Sequence, residues 1–430
     1  MAESQSRTHT ADLIGTAPTR ALRRIAAALL HRDFRVLWMG ACTSSIGTWM
    51  QSLAENWLVL SLTASAFYLG LDAFLQQLPI MLFTLIGGVM ADRYDRRQTL
   101  MSSQWVQLAS AATLALLVYF RVVQIWHILA LSFLTGCAQA FGGPAYQSLI
   151  PSLVGKEDLT NAIALNSIQF NVARMVGPLL AGGALAAFKH WGVPDMTAYS
   201  ACFSLNALSF LVVIVALMSL HIKHLPAART QNMMQELKHG LSYVREEHSI
   251  MALMVLGAAT TFFGIPMLTL LPVFAKEVFG SDVEGYSKLL AFSGAGAVVG
   301  SMVVAWLGRF PRMGLTTLLV EAGLGILLTI VAQTRSLSAT YFLLFVTGVA
   351  LMIAISTIMS LVQLIAPNEM RGRVMSIYLV AFRGGMPLGS LVSGFFASRT
   401  SASTVFTVNG IMVVIVSIYF LLKNKEIRAL

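Results

Sequence analysis

Five ionisable residues stand inside long apolar runs of this 430-residue chain: Glu55, Asp72, Arg174, Glu321 and Arg383. A charge at the centre of a bilayer costs at least about 2.5–3.5 kcal/mol on insertion scales, so such groups are paired or face a watery cavity. A carboxyl kept from water holds its proton more firmly, as a proton carrier must, and on that ground Glu55 and Asp72 are the coupling candidates. The alternative is that both sit in an outer mouth without titrating. Glu321 falls in a segment expected at the periphery of a helix bundle and is read as structural. Arg174 and Arg383 lie near mid-span, each four residues before a proline, Pro178 or Pro387, on the same helix face. Either they approach a central cavity, where positive charge draws an anionic substrate or keeps a carboxylate ionised, or they bond carbonyls freed by the prolines.

The runs that hold these residues are membrane spans. Of the residues 57% are hydrophobic and only 11% charged, against roughly 25% charged in a soluble domain, so no water-exposed surface could be dressed. Crossing ~30 Å of hydrocarbon takes roughly 20 apolar residues, and stretches of that length recur from Phe34 to Leu422. They are too long and too continuously apolar for barrel strands, which leaves an all-α membrane protein. Twelve spans are expected: Phe34–Leu62, Phe67–Met90, Thr99–Phe120, Ile125–Ser148, Ala162–Phe188, Ala198–Leu220, Ile250–Val273, Leu289–Leu307, Gly314–Ala332, Ala339–Leu364, Val374–Ala397 and Ser403–Leu422.

The formal net charge of +10 follows topology and implies no nucleic-acid partner. With both termini in the cytoplasm, 21 of the 29 Lys and Arg fall on that side and six on the other, as the positive-inside rule requires. The chain then divides into a cytoplasmic segment 1–33, a six-helix half 34–220, a linker 221–249, a second half 250–422 and a cytoplasmic tail 423–430. Arg20–Leu30 reads as an interfacial amphipathic helix, since no cleavable signal sequence is present. The linker, with Pro226 and mixed charge from Glu236 to Glu247, is either a surface helix or a tether. Ser167, Ile168, Arg174, Pro178 and Leu179 reappear 209 positions later as Ser376, Ile377, Arg383, Pro387 and Leu388. This is where a six-plus-six duplication would place them, in the fifth and eleventh spans, and internal repeats are the usual construction of secondary transporters.

After the second span comes Gly88-Val89-Met90-Ala91-Asp92-Arg93-Tyr94-Asp95-Arg96-Arg97. Gly88 would let a neighbouring helix approach, Asp92 offers an acceptor at the membrane surface, and Arg93, Arg96 and Arg97 face anionic head groups or clamp that acceptor. The segment resembles the signature loop of the major facilitator superfamily, G-x-x-x-D-R-x-G-R-R/K, departing from it at Asp95, where the family often has glycine. Together with Phe34-Arg35-Val36-Leu37-Trp38, the Pro144–Pro151 segment and Arg371-Gly372-Arg373-Val374, it resembles the branch containing the enterobactin exporter and the macrolide efflux proteins. The resemblance covers Phe34 to Leu422. It implies two pseudo-symmetric six-helix halves and a contact of Asp92 with the start of the eleventh span, where Arg371 and Arg373 either complete a cytoplasmic latch or only anchor the helix. Arg174 to Gly183 resembles the fifth-helix G-P-x-x-G-G element of exporters with one residue inserted between Pro178 and Gly182. Gly177, Pro178, Gly182 and Pro387 are thus candidates for hinge or leak-tight packing.

Nothing resembles a Walker loop, a metal cluster or a nucleophile triad, so no enzyme, cofactor or metal is expected. Cys42, Cys137 and Cys202 fall inside spans as inert thiols. Gly296 and Gly300 read as a packing pair, and Trp49, Trp57, Phe74 and Phe141 either line a greasy cavity or face lipid. The expected protein is a monomeric, proton-coupled exporter of amphipathic small molecules in the bacterial inner membrane, working by alternating access. Its rivals are an importer or lipid transporter of the same fold and a sensor that transports nothing.

Overall fold

The computed structural model describes residues 27–220, 241–367 and 369–429; the side chains of Leu85, Val89, Ala91, Asp92 and Arg93 lie outside that description. The rest of the expected interfacial helix, the linker through residue 240 and the Asp92 side chain of the expected latch therefore lie outside the described residues. Every long described element is helical, as a backbone in hydrocarbon must be to satisfy its own polar groups. These helices are α1 (Arg32–Thr63), α2 (Ala66–Arg93), α3 (Arg96–Tyr119), α4 (Ile125–Leu153), α5 (Leu159–His190) and α6 (Asp195–Met218), then α7 (His248–Phe279), α8 (Val283–Leu307), α9 (Met313–Gln333), α10 (Leu337–Ile365), α11 (Arg371–Ala397) and α12 (Ala402–Lys423). Among the described residues eleven helices, α2 to α12, are long and apolar enough to cross a membrane. The first, α1, has 32 residues but carries Arg32, Asp33, Arg35 and Glu55.

Packing repeats with an offset of six helices. α1 lies on α5 and α6, α2 on α4, and α3 on α4 and α6; likewise α7 lies on α11 and α12, α8 on α10, and α9 on α10 and α12. The two sets meet along α2–α11 and α5–α8, a pair of crossings that the same offset interchanges. Small residues make both crossings close. A Cβ on Gly70 of α2 would come within 3.1 Å of Gly394 Cα on α11, and one on Gly294 of α8 within 3.2 Å of the Arg174 carbonyl oxygen on α5. Gly296 and Gly300 pack instead on the α10 backbone at Phe345 and Val349.

Three local features depart from the expected elements. Residues 88–93 continue α2 as helix, so the link to α3 is only Tyr94 and Asp95. Asp95 caps α3, its carboxylate accepting from the backbone N–H of Arg97 (2.8 Å) and Gln98 (3.2 Å), which gives this residue, unlike glycine, a capping role. α7 runs six residues past its expected end and contains a π-turn at Thr260–Gly264, just before Pro266. Residues 27–30 form a 3-10 turn whose Ala28 is fully buried and donates its N–H to Asn161 on α5 (3.0 Å), so this end of the expected interfacial helix docks on protein.

Candidate functional site

Glu55 and Asp72 come together inside the first six helices. They are 6% and 5% exposed, although α1 and α2 hold them well within the bundle. Ser132 of α4 donates to Glu55 Oε1 (2.8 Å), and Gln51, one turn earlier on α1, donates to Oε2 (3.1 Å). Gln51 is itself held by the Asn206 side chain of α6 (2.8 Å). The Ser132 hydroxyl also lies beside Asp72, whose Oδ1 has no partner among the described residues. A serine hydroxyl has one hydrogen, so it can donate to only one of the two carboxyls at a time. The site is thus a carboxyl–hydroxyl–carboxyl cluster drawn from three helices, with no cation bonded to either acid among the described residues. Ser132 itself was not legible in the sequence, being one of several serines in apolar runs.

The two repeat-related arginines occupy different surroundings. Arg174 is 9% exposed; its guanidinium lies 5.7 Å from the Trp49 ring centroid, and its Nε has no partner among the described residues. Trp49 in turn meets Phe170 edge-on at 6.0 Å. Arg383 is exposed. Pro178 has no N–H to give the Arg174 carbonyl, and that carbonyl lies against Gly294 of α8 with no guanidinium on it.

One end of the bundle, opposite the described chain termini, is shut. There Ser287 of α8 donates to the Pro178 carbonyl (3.0 Å) and fills the space beside Gly182. Asn56 of α1 donates to the Tyr286 hydroxyl (3.3 Å), and Trp57 stacks on the same ring. Lys189 and Asp282 form an exposed ion pair at the rim (3.1 Å). Partial burial pushes the Asp282 carboxyl up, but hydrogen bonds from Lys189 and the Gly285 N–H outweigh it and hold the group below its usual value. At this pair lies a cleft of about 310 Å³ lined also by His190, Asp195, Tyr199 and Glu284 and by none of the buried carboxyls. Gly177 sits against Trp49 and Ile46 of α1, so it packs within the first six helices; Pro387 is buried in α11.

At the opposite end Arg96 and Arg97 each reach a helix end within the first six helices. Arg96 donates to the Ser148 carbonyl at the end of α4 (3.0 Å), and Arg97 to the Met218 carbonyl at the end of α6 (2.9 Å). Gly88 has open space where a Cβ would stand; the tight contact expected of it belongs to Gly87, against Ala140 of α4. Arg371 donates to the Gln363 carbonyl (3.0 Å), and Arg373 to the Met370 sulfur (3.3 Å).

This geometry has counterparts. The chain is 26% identical to the staphyloferrin A transporter of Staphylococcus aureus over 89% of its own length and 94% of that protein's. It is 25% identical to macrolide efflux protein A of Streptococcus pyogenes over 92% and 97% of the two chains, and 23% identical to the enterobactin exporter EntS of Citrobacter koseri over 93% of each. Its fold matches the crystal structure of a bacterial homolog to the human lysosomal transporter Spinster, with a TM-score of 0.73 over 95% of this chain and 97% of that one at 14% identity. The family model for transmembrane secretion effectors matches residues 25–429. The chain therefore belongs to the transmembrane secretion effector family of the major facilitator superfamily, a family of multi-pass membrane transporters for small molecules, not of enzymes.

Proposed function

We propose that this transporter exports amphipathic small molecules of the siderophore or macrolide kind in exchange for protons. The observation that carries the coupling is the Glu55–Ser132–Asp72 cluster. Gln51 and Ser132 serve Glu55, but Asp72 keeps a buried oxygen with no donor and neither acid has a cation bonded to it among the described residues, so an added proton completes the cluster. A group that must hold a proton in one state and release it in another is what antiport requires. The names of the efflux and exporter relatives support the direction.

In this reading α1 is the twelfth span and the protein is a monomer of the bacterial inner membrane. Both termini lie in the cytoplasm, so the shut end faces outward and the halves 34–220 and 250–422 rock about the α2–α11 and α5–α8 crossings. Asp92, Arg371 and Arg373 would latch the inner side. Reporter fusions at Ala2 and Leu430 should both read inside and one at Val193 outside.

The test of coupling uses proteoliposomes with an imposed pH gradient and, as probes, a citrate-based siderophore, a catecholate siderophore and a macrolide. The wild type should move at least one probe uphill, while Glu55→Gln with Asp72→Asn should bind it but only equilibrate it. Gradient-driven accumulation by the double variant at the wild-type rate would remove these carboxyls from the mechanism.

A further inference from the structure

We infer that Glu321 is a second proton-binding site, in the last six helices and independent of the Glu55–Asp72 cluster, and that its proton sets the geometry of the π-turn in α7. Glu321 is 1% exposed on α9, pointing inward and not toward the periphery. Its Oε1 meets the Thr260 hydroxyl of the π-turn, and the Ser417 hydroxyl of α12 lies beside the carboxyl. Its Oε2 has no partner among the described residues.

Counting hydrogens ties the charge state to the way the two hydroxyls point. Thr260 has one hydroxyl hydrogen and a second acceptor, the Leu256 carbonyl, at 2.8 Å; Ser417 has one, and the Val413 carbonyl at 2.8 Å. With both hydrogens on these carbonyls, the carboxyl faces only oxygen lone pairs and must itself supply a hydrogen. Release of that proton to water leaves a carboxylate that draws the two hydroxyl hydrogens onto itself and off the helix carbonyls. One of those carbonyls, on Leu256, precedes the π-turn by one turn.

The surroundings hold no competing charge. The neighbouring ionisable side chain is Tyr378 of α11, whose hydroxyl is buried without a partner among the described residues. α7 offers hydroxyls here, with His248 at its start and Lys276 and Glu277 near its shut end; α10 carries Tyr341 toward its shut-end start; α12 carries Tyr419 and Lys423 toward its other end. Arg312 precedes α9, and Lys425, Glu426 and Arg428 follow α12.

The π-turn is also the seat of α11. A Cβ on Gly257 would lie 3.1 Å from the Tyr378 ring, Gly385 packs on Thr261 with the Ala258 carbonyl 2.8 Å from its Cβ position, and Gly389 packs on Phe262. Since α11 forms one of the two crossings to the first half, a change of hydrogen bonding at Thr260 reaches that crossing through contacts too tight to absorb it. π-turns of this sort cluster at functional sites.

The test is infrared difference spectroscopy on the full-length protein in lipid, following the protonated-carboxyl C=O band from acid to alkaline pH. In the Glu55→Gln, Asp72→Asn background one titrating component should remain, and adding Glu321→Gln should delete it. Thr260→Val keeps the acid but removes a hydrogen-bond partner, so the component should persist and shift to higher frequency; this arm decides the matter if Glu321→Gln fails to fold. A band unchanged by Glu321→Gln, or unmoved by Thr260→Val, overturns the assignment. So does loss of the component on adding sodium at fixed pH, which would make the site one for a metal cation. The double-variant background keeps this outcome separate from that of the first carboxyl cluster.

Discussion

Arg174 and Arg383 are related by the internal repeat, yet one is nearly buried over Trp49 without a hydrogen bond at Nε and the other is exposed. The acids differ in the same way. The first half pools two carboxyls around Ser132, whereas the second keeps one within hydroxyls at a broken helix. Duplication thus preserved the packing plan, because crossings are set by small residues at a few positions, and left the buried charges free to diverge. Shape is symmetric here and chemistry is not.

The largest expected effect tests the symmetric part. Gly182→Val would drive a side chain into Ser287, and Gly70→Val one into the α11 backbone. Overpacking of this kind costs about 1–3 kcal/mol, which shifts the equilibrium away from the shut state about 5- to 150-fold. Pulsed electron-spin distances between labels at Val193→Cys and Thr334→Cys, in a background without Cys42, Cys137 and Cys202, should lengthen in both variants while transport falls. A large effect in only one would show that the two crossings are not equivalent.

That symmetric plan was largely legible beforehand. Apolar run length marked eleven of the helices now seen to be membrane-capable, and the 209-residue repeat pointed to α5 and α11. The signature residues were found as well, though as a loop instead of the end of α2, since arginines at an interface suspend hydropathy without ending a helix. The π-turn and the true length of α7 were not visible, because nothing in Thr260-Thr261-Phe262-Phe263-Gly264 breaks the apolar pattern. Glu55 and Asp72 were legible as charges out of place; their convergence on Ser132 depends on how α1, α2 and α4 pack. Glu321 was read as structural from the expected peripheral place of its helix, and its inward burial was not visible, because helix position says nothing of which way a side chain points.

The asymmetric part is sharpened at the arginines. A buried charge without a countercharge is costly to keep, by several kcal/mol after relaxation, and a hydrophobic side chain of similar volume removes that cost. Arg174→Met should therefore keep or raise the melting temperature in detergent, by up to several degrees at about 2–4 °C per kcal/mol, while export of an anionic probe drops. Arg383→Met, at an exposed site, should leave melting unchanged. A clear fall in melting temperature for Arg174→Met would mean that the cation–π contact with Trp49 outweighs the cost of burial.

The smallest expected effect lies at the rim, where Lys189 and Asp282 join α5 to α8 in water. Exposed pairs contribute little and are screened by salt, so this pair should bias the shut state only slightly and less at high ionic strength. The variant that isolates the charge is Asp282→Asn, because asparagine caps α8 through the Gly285 N–H as well as aspartate does. Any change then belongs to the ion pair and not to a frayed helix. The pH dependence has a definite sign. Asp282 is held below the ordinary carboxylate value by its hydrogen bonds when the rim is shut, so its contribution is complete above about pH 3.9, the value for a free aspartate. It is lost only as the pH falls through the lower value of the shut state. Between neutral and mildly acid pH the Val193–Thr334 label distances should therefore not respond through this pair, whereas added salt and Asp282→Asn should each lengthen them slightly and not additively. A response to mild acid that survives both Asp282→Asn and, at the neighbouring histidine, His190→Gln points to the buried carboxyls, and comparing it in the Glu55→Gln, Asp72→Asn and Glu321→Gln backgrounds would show which half of the molecule senses the proton.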